Sequence, residues 1–237
     1  MSQAPEPPRD LPVVLAITGA SGAVYAARLL EGLLCSGREV HLVVSESGAA
    51  VIGQELPVRL DPRSANVLDV LAAADRFLGV AEDAPWSATA AARQAAAGRL
   101  HTHHCRDYFT PIASGSFLTA GMVVCPCSGS TLSGIAHAAS QNLIQRAAEV
   151  HLKERRKLIV VPRETPLSVL QLENMHRLAQ AGAVVLPAAP GWYHGVDRLL
   201  HLVDFIAARI LDQLGIDNRA IARWEDPAAD CRRAPSE

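Results

Sequence analysis

Five stretches of this 237-residue chain stand where an apolar run ends, TGASGA from residue 18, VVSES from 43, CPCSGST from 125, VPRETP from 161 and PAAPGWYH from 187, and four of the five are small, hydroxylated or glycine-rich. After the first and third, the apolar spacing becomes that of a helix. A helix N-terminus carries N–H groups with no intrahelical acceptor and the positive end of the peptide dipole, so it attracts anions. Small side chains let an anion reach the backbone, and neighbouring hydroxyls add donors. Phosphate is the ligand this chemistry suits. TGASGA lacks the G-x-G-x-x-G spacing of dinucleotide-binding turns, and any one such turn is an ordinary chain reversal. Several of them, joined by the Arg163–Glu164 pair of PRETP, make a candidate phosphate-binding rim.

Other residues with chemical potential read differently. KERRK at 153–157 has the form of a solvated helix end, where cations complement the dipole, and Lys153 is its one functional candidate. Arg209 sits in FIAARILDQL, an apolar helical stretch where a buried guanidinium requires an anion partner. HTHHC at 101–105 offers His101, His103, His104 and Cys105. Its spacing does not match structural zinc patterns and no second ligand cluster is evident, so it reads as a loop of polar histidines with no metal. Cys125 and Cys127 have one residue between them rather than the two of a redox pair, and they read as buried at a strand end. His194 reads as a loop residue.

The elements that must position these residues follow from the apolar pattern. Residues 12–18, 38–45, 120–128, 157–166 and 183–190 are short β-branched runs, expected as buried strands. Helices are expected over 23–37, about 131–152, 167–182 and 195–216. Strand, helix and strand within about 35 residues form a βαβ unit and require a parallel sheet. The expected fold is therefore α/β, a doubly wound Rossmann-like or flavodoxin-like parallel sheet in three layers and a single domain. From 56 to 107 the signals blur into an Ala-rich segment that reads as an insertion, with one helix and a long excursion. Residues 1–10 are expected to be a disordered tail and 226–237 a C-terminal tail, around a domain at 11–225.

Composition narrows the function. The chain is 49% hydrophobic with a net charge of −2, which gives no electrostatic case for nucleic acid or an anionic membrane. Five cysteines, an odd number, are not a disulfide framework. No apolar run reaches the roughly 18 to 20 residues of a membrane span. A cytoplasmic protein is expected.

ITGASGAVYAARLL, PCSGSTLSGIAHAASQNLIQRAAEVHLKERRKLIVVPRETPLSVLQLENM and GAVVLPAAPGWYH together resemble the UbiX family of flavin prenyltransferases. The likeness covers residues 11–225 apart from the blurred segment. It implies transfer of a dimethylallyl unit from dimethylallyl phosphate to N5 and C6 of reduced FMN without a metal. The prenylated flavin then serves a UbiD-type decarboxylase. It also implies a homo-oligomer, in this family a dodecamer with sites between subunits.

Carried over by motif, the flavin contacts are Gly19, Ala20, Ser21, Ser45, Ser128, Gly129, Ser130, Thr131 and Arg163. The prenyl phosphate falls to Lys153, Tyr193 and Arg209, with Arg146 supplied by a neighbouring subunit and Glu164 beside the phosphate. Ser21, Lys153, Glu164 and Tyr193 are the implied catalytic set. Cations and a phenol around a leaving phosphate stabilise the charge that develops as the C–O bond breaks, and Glu164 can relay a proton. Tyr108 takes the place of an aromatic, often tryptophan, upstream of Ala113-Ser114-Gly115-Ser116. Its ring can shield an allylic cation. Trp224 and Glu55 resemble residues near the family's site. The competing readings are a non-prenylating flavin protein or flavin-dependent decarboxylase of the same fold, and a non-enzymatic subunit of a decarboxylase complex.

Overall fold

The computed structural model describes residues 11–61 and 66–221. Six strands form one sheet: β1 (Val13–Ile17), β2 (Val40–Val44), β3 (Leu100–His104), β4 (Gly121–Cys127), β5 (Leu158–Pro162) and β6 (Val184–Val185). Every pairing is parallel and the order is β3-β2-β1-β4-β5-β6. This is the doubly wound α/β arrangement expected from the sequence. β1, β2, β4 and β5 are buried along their whole length, as expected of strands covered on both faces.

The helices are α1 (Ala23–Cys35), α2 (Glu46–Glu55), α3 (Val67–Leu78), α4 (Ala88–Gln94), α5 (Gly129–Ala136), α6 (Leu143–Lys153), α7 (Val169–Gln180) and α8 (Leu199–Gln213). One apolar cluster packs α1, α3 and α8 on one sheet face, through residues such as Leu30, Leu71 and Ile210. The other packs α5 and α6 on the opposite face, through Leu132, Ile144 and Ala148. The strand order reverses between β1 and β4. Crossovers from those two strands leave in opposite directions, so a crevice opens at their carboxyl ends.

Three expectations need correction. The segment 56–107 is not a single helix with a long excursion: it contains α3, α4 and the edge strand β3, and LHTHH is that strand. Its polar side chains hide it from an apolar pattern, and pairing to β2 decides its conformation. The helix expected over 131–152 is two helices, α5 and α6. Ala138 takes a left-handed φ of 52° between them, and Asn142 caps α6 by accepting from Gln145 N at 3.0 Å. Arg209 is exposed rather than buried, and it pairs with Asp212 one turn on at 2.9 Å. Residues 1–10 and 226–237, and Trp224, lie outside the described residues.

Candidate active site

Because all six strands are parallel, the loops after β1, β2, β4, β5 and β6 emerge at one edge of the sheet. Thr18, buried just past the end of β1, ties the two sides of the crevice together. Its Oγ1 donates to the Pro126 carbonyl at 2.7 Å and accepts from Ser128 N at 2.8 Å. Sequence reasoning passed over it, since a threonine at a strand end carries no motif.

The β1 loop lies against the start of α2. A Cβ on Gly19 would stand 2.6 Å from Ser47 Oγ, so only glycine allows this approach. Ser45 caps α2 by accepting from Gly48 N at 2.9 Å, and its own N–H donates to the Ile17 carbonyl at 3.0 Å. From the other side of the sheet, Arg163 Nε donates to the Ser21 carbonyl at 3.0 Å. This bond brings PRETP and TGASGA together. Ala20 is buried, and the Ser21 side chain is exposed.

The two helix N-termini of the crevice differ. At α1, Gly22 N and Ala23 N donate to the Glu55 carboxylate at 2.9 and 2.7 Å. The anion at that terminus is therefore the protein's own carboxylate, which corrects the expectation of phosphate there and gives Glu55 a definite task. At α5, Ser128 is the cap, and its Oγ lies 3.3 Å from Ser130 Oγ and 3.0 Å from Thr131 Oγ1. The N–H groups of Gly129 and Ser130 belong to the first turn and have no intrahelical acceptor. A Cβ on Gly129 would stand 3.1 Å from Gln171 Nε2 of α7. Three hydroxyls, two first-turn N–H groups and a helix dipole form a cradle for a dianion. The donor set fits the phosphate of a phosphorylated ligand.

Behind the crevice, Tyr25 of α1 has its phenol pKa raised by burial and by Cys125, against a lowering by Arg163. Burial pushes the Cys127 thiol up to about 12 and Cys125 higher still, so the CPC pair is an inert part of the core, as expected.

The remaining candidates divide into two places. Glu164 is exposed beside Arg163, and its Oε1 accepts from Thr165 N at 3.2 Å. Tyr193, 60% exposed on the loop after β6, sets its ring edge-on to Phe205 of α8 at 5.9 Å. Tyr108 is exposed on the loop after β3. Lys153 is elsewhere. It ends α6, pairs with Glu154 and lies beside Gly115, and the chain then enters β5 at Leu158. Arg163 follows the far end of β5, so about 13 Å of strand at ~3.3 Å per residue separates the two levels. One chain therefore does not gather Lys153 with Tyr193 and Arg163. Arg146, on the same helix, donates from Nε to the Ala113 carbonyl at 3.2 Å and lies 3.8 Å from Glu149.

Comparison with known proteins gives a consistent result. The flavoprotein family profile matches residues 1–211. A flavin prenyltransferase UbiX from Pseudomonas aeruginosa is 44% identical over 212 residues, 90% of this chain and 93% of that protein. One from Alkalihalophilus pseudofirmus is 42% identical over 212 residues, covering 90% and 95%. Among solved structures, AnUbiX in complex with FMN and dimethylallyl pyrophosphate superposes with a TM-score of 0.74 at 34% identity, covering 92% of this chain and 99% of that one. A dodecameric FMN-dependent UbiX-like decarboxylase from Escherichia coli gives 0.72 at 35%, covering 91% and 100%.

Proposed function

This chain belongs to the UbiX flavin prenyltransferases, and from that premise we propose the division of labour by which it transfers a dimethylallyl group from dimethylallyl phosphate to reduced FMN. The observation that carries the reading is the Arg163–Ser21 bond across a crevice whose α5 side is a ready phosphate cradle. Bound reduced FMN would supply the nucleophilic N5 and C6 positions.

The residues divide the work. Ser45, Ser128, Gly129, Ser130 and Thr131 hold the flavin's phosphate end through hydroxyl and backbone donors. Gly19 and Ala20 let the ring system lie against the backbone, while Ser21 and Arg163 fix its orientation. Tyr193 and Arg209 take the phosphate of the prenyl donor, and as its C–O bond breaks they stabilise the charge gathering on oxygen. Glu164 takes up a proton released at the flavin and passes it toward the departing phosphate. Tyr108 shields the reacting carbon from water.

Lys153 and Arg146 join this site from a neighbouring copy. The separation of Lys153 from the rim within one chain supports that assignment, and so does the dodecameric state of the Escherichia coli relative. α7 also exposes Val169, Leu170 and Leu172, with Leu167 just before it, a surface suited to a homo-oligomeric contact. No helix among the described residues is long and apolar enough to cross a membrane, and the proposed place of work is the cytoplasm. The product passes to a UbiD-type decarboxylase.

The test is functional supply. The protein is incubated without oxygen with FMN, a reductant and either dimethylallyl phosphate or its diphosphate. The protein-free filtrate is then given to a UbiD-type apo-decarboxylase. Restored decarboxylation is expected, and the better donor is identified by the faster recovery. Filtrates no better than FMN alone, in conditions where a known prenyltransferase succeeds, would overturn the reading.

A further inference from the structure

Away from the rim, β2 and β3 place three metal-ligating side chains on one another. Glu39 and His41 are two residues apart and so face the same side of the sheet. The parallel register sets His101 directly opposite His41. The result is convergent: His41 Nε2 and His101 Nε2 lie 3.2 and 3.1 Å from the same oxygen, Glu39 Oε1, and the three ligand atoms all fall within 4.8 Å. Two tetrahedral ligands about 2.0 to 2.1 Å from a zinc ion stand ~3.3 Å apart, so the two histidine–carboxylate separations already suit a shared ion.

We propose that Glu39, His41 and His101 form a site for a divalent transition-metal ion of the zinc class, which pins edge strand β3 to β2.

The neighbouring groups suit this role. His41 Nδ1 lies 2.8 Å from His103 Nε2, the arrangement in which a ligating imidazole is oriented by a hydrogen bond at its other nitrogen. Without metal, His103 Nε2–H donates to His41 Nδ1, and His41 and His101 each donate Nε2–H to Glu39. With metal, the ion takes the place of those two protons on the carboxylate. His41 and His101 shift to their Nδ1–H tautomers, His41 donates to His103 Nε2, and His103 carries its own proton on Nδ1. No net proton is lost. His101 and Glu39 remain 44% and 43% exposed, leaving room for water to complete a four-coordinate shell.

Within one chain this site stands apart from the flavin crevice. His41 and His101 are each the second residue of their strands, at the edge opposite the rim that carries Arg163 and Ser21. An ion here is a staple for the edge strand. The sequence concealed it because HTHHC supplies one ligand, while Glu39 and His41 lie 62 and 60 residues earlier.

The test uses the full chain, freed of any affinity tag, dialysed against a chelator and then titrated calorimetrically with zinc chloride, with magnesium chloride as control. One zinc per chain is expected, with a rise in melting temperature on saturation and no response to magnesium. Glu39→Gln and His101→Ala, at exposed positions where folding survives, should each weaken zinc binding. The loss should exceed the ~10- to 100-fold expected for losing a partner behind a ligand, which is the loss expected of His103→Phe. Flavin prenylation by Glu39→Gln should match that of wild type. Failure of the wild-type chain to take up zinc, or zinc binding by Glu39→Gln and His101→Ala as tight as wild type, would overturn the proposal.

Discussion

At the scale of single residues, the site is held together by groups without a conspicuous motif. Thr18 is the clearest case. Thr18→Val leaves the Ser128 N–H without its acceptor in a buried place and leaves the Pro126 carbonyl only the 3.3 Å bond from Thr18 N, and should cost about 1–3 kcal/mol in urea denaturation while weakening FMN binding. Thr18→Ser should restore most of both. Glu55→Ala should cost about 1 kcal/mol, read as a lowered melting temperature, because the α1 N-terminus loses its carboxylate. The sequence made Ser128, Arg163 and Glu164 legible, since hydroxyls and charges at strand ends stand out from an apolar background. Thr18 was hidden because its importance lies in two backbone groups supplied 108 and 110 residues later. The distance of Lys153 from the rim was hidden for a related reason: motif likeness groups residues by role, and it implied a neighbouring subunit for Arg146 alone.

Among elements, α1 and α8 are locked by a buried charge network. Arg28 reaches Asp204 at 2.6 Å, Glu31 at 2.8 Å and the Trp86 carbonyl at 2.7 Å, with its guanidinium 5.4 Å from the Trp86 ring centre. Arg28→Ala leaves the buried Asp204 carboxylate uncompensated and the Glu31 carboxyl and Trp86 carbonyl without their donor, and should destabilise the fold by about 3–5 kcal/mol. Burial and the nearby Asp75 raise Glu31 to about 8 despite Arg28. The folded chain thus holds a proton that the unfolded chain releases above about pH 4.5, and stability falls as pH rises toward 8. On the acid side, burial lowers His151 to about 4 and His103 to about 4. Here the unfolded chain binds more protons, so the stability present above about pH 6.5 is lost as pH falls through 4. Denaturation midpoints against pH should show both limbs. Glu31→Gln should flatten the alkaline limb. His151→Gln should flatten the acid one, and its loss of the 2.8 Å contact to Thr119 also lowers the plateau. The buried strands were legible because β-branched runs declare themselves. β3 was not, since its histidines satisfy one another and Glu39 rather than an apolar core. The break between α5 and α6 was not legible because it depends on a left-handed Ala138, a residue with no preference for that conformation.

For the whole molecule, the account needs more than one copy. α7 leaves Val169 and Leu170 69% and 70% exposed, which a chain working alone has little reason to keep. Val169→Glu combined with Leu170→Glu should shift the scattering mass toward smaller species and reduce prenyl transfer, while FMN binding falls less because the proposed flavin cradle draws its residues from one chain. The three-layer architecture was readable from the alternation of strands and helices. Assembly was carried only by family likeness, since an apolar helix face reads the same whether it packs inside a chain or between chains. The central claim is that loops from one rim hold a flavin and a prenyl phosphate side by side so that carbon passes between them, and the mass of the flavin tests it most directly. After anaerobic incubation of the protein with reduced FMN and dimethylallyl phosphate, the flavin is predicted to gain one C5H8 unit, with the yield falling sharply in Glu164→Gln. A flavin of unchanged mass, with a known prenyltransferase converting it in the same buffer, would contradict the account.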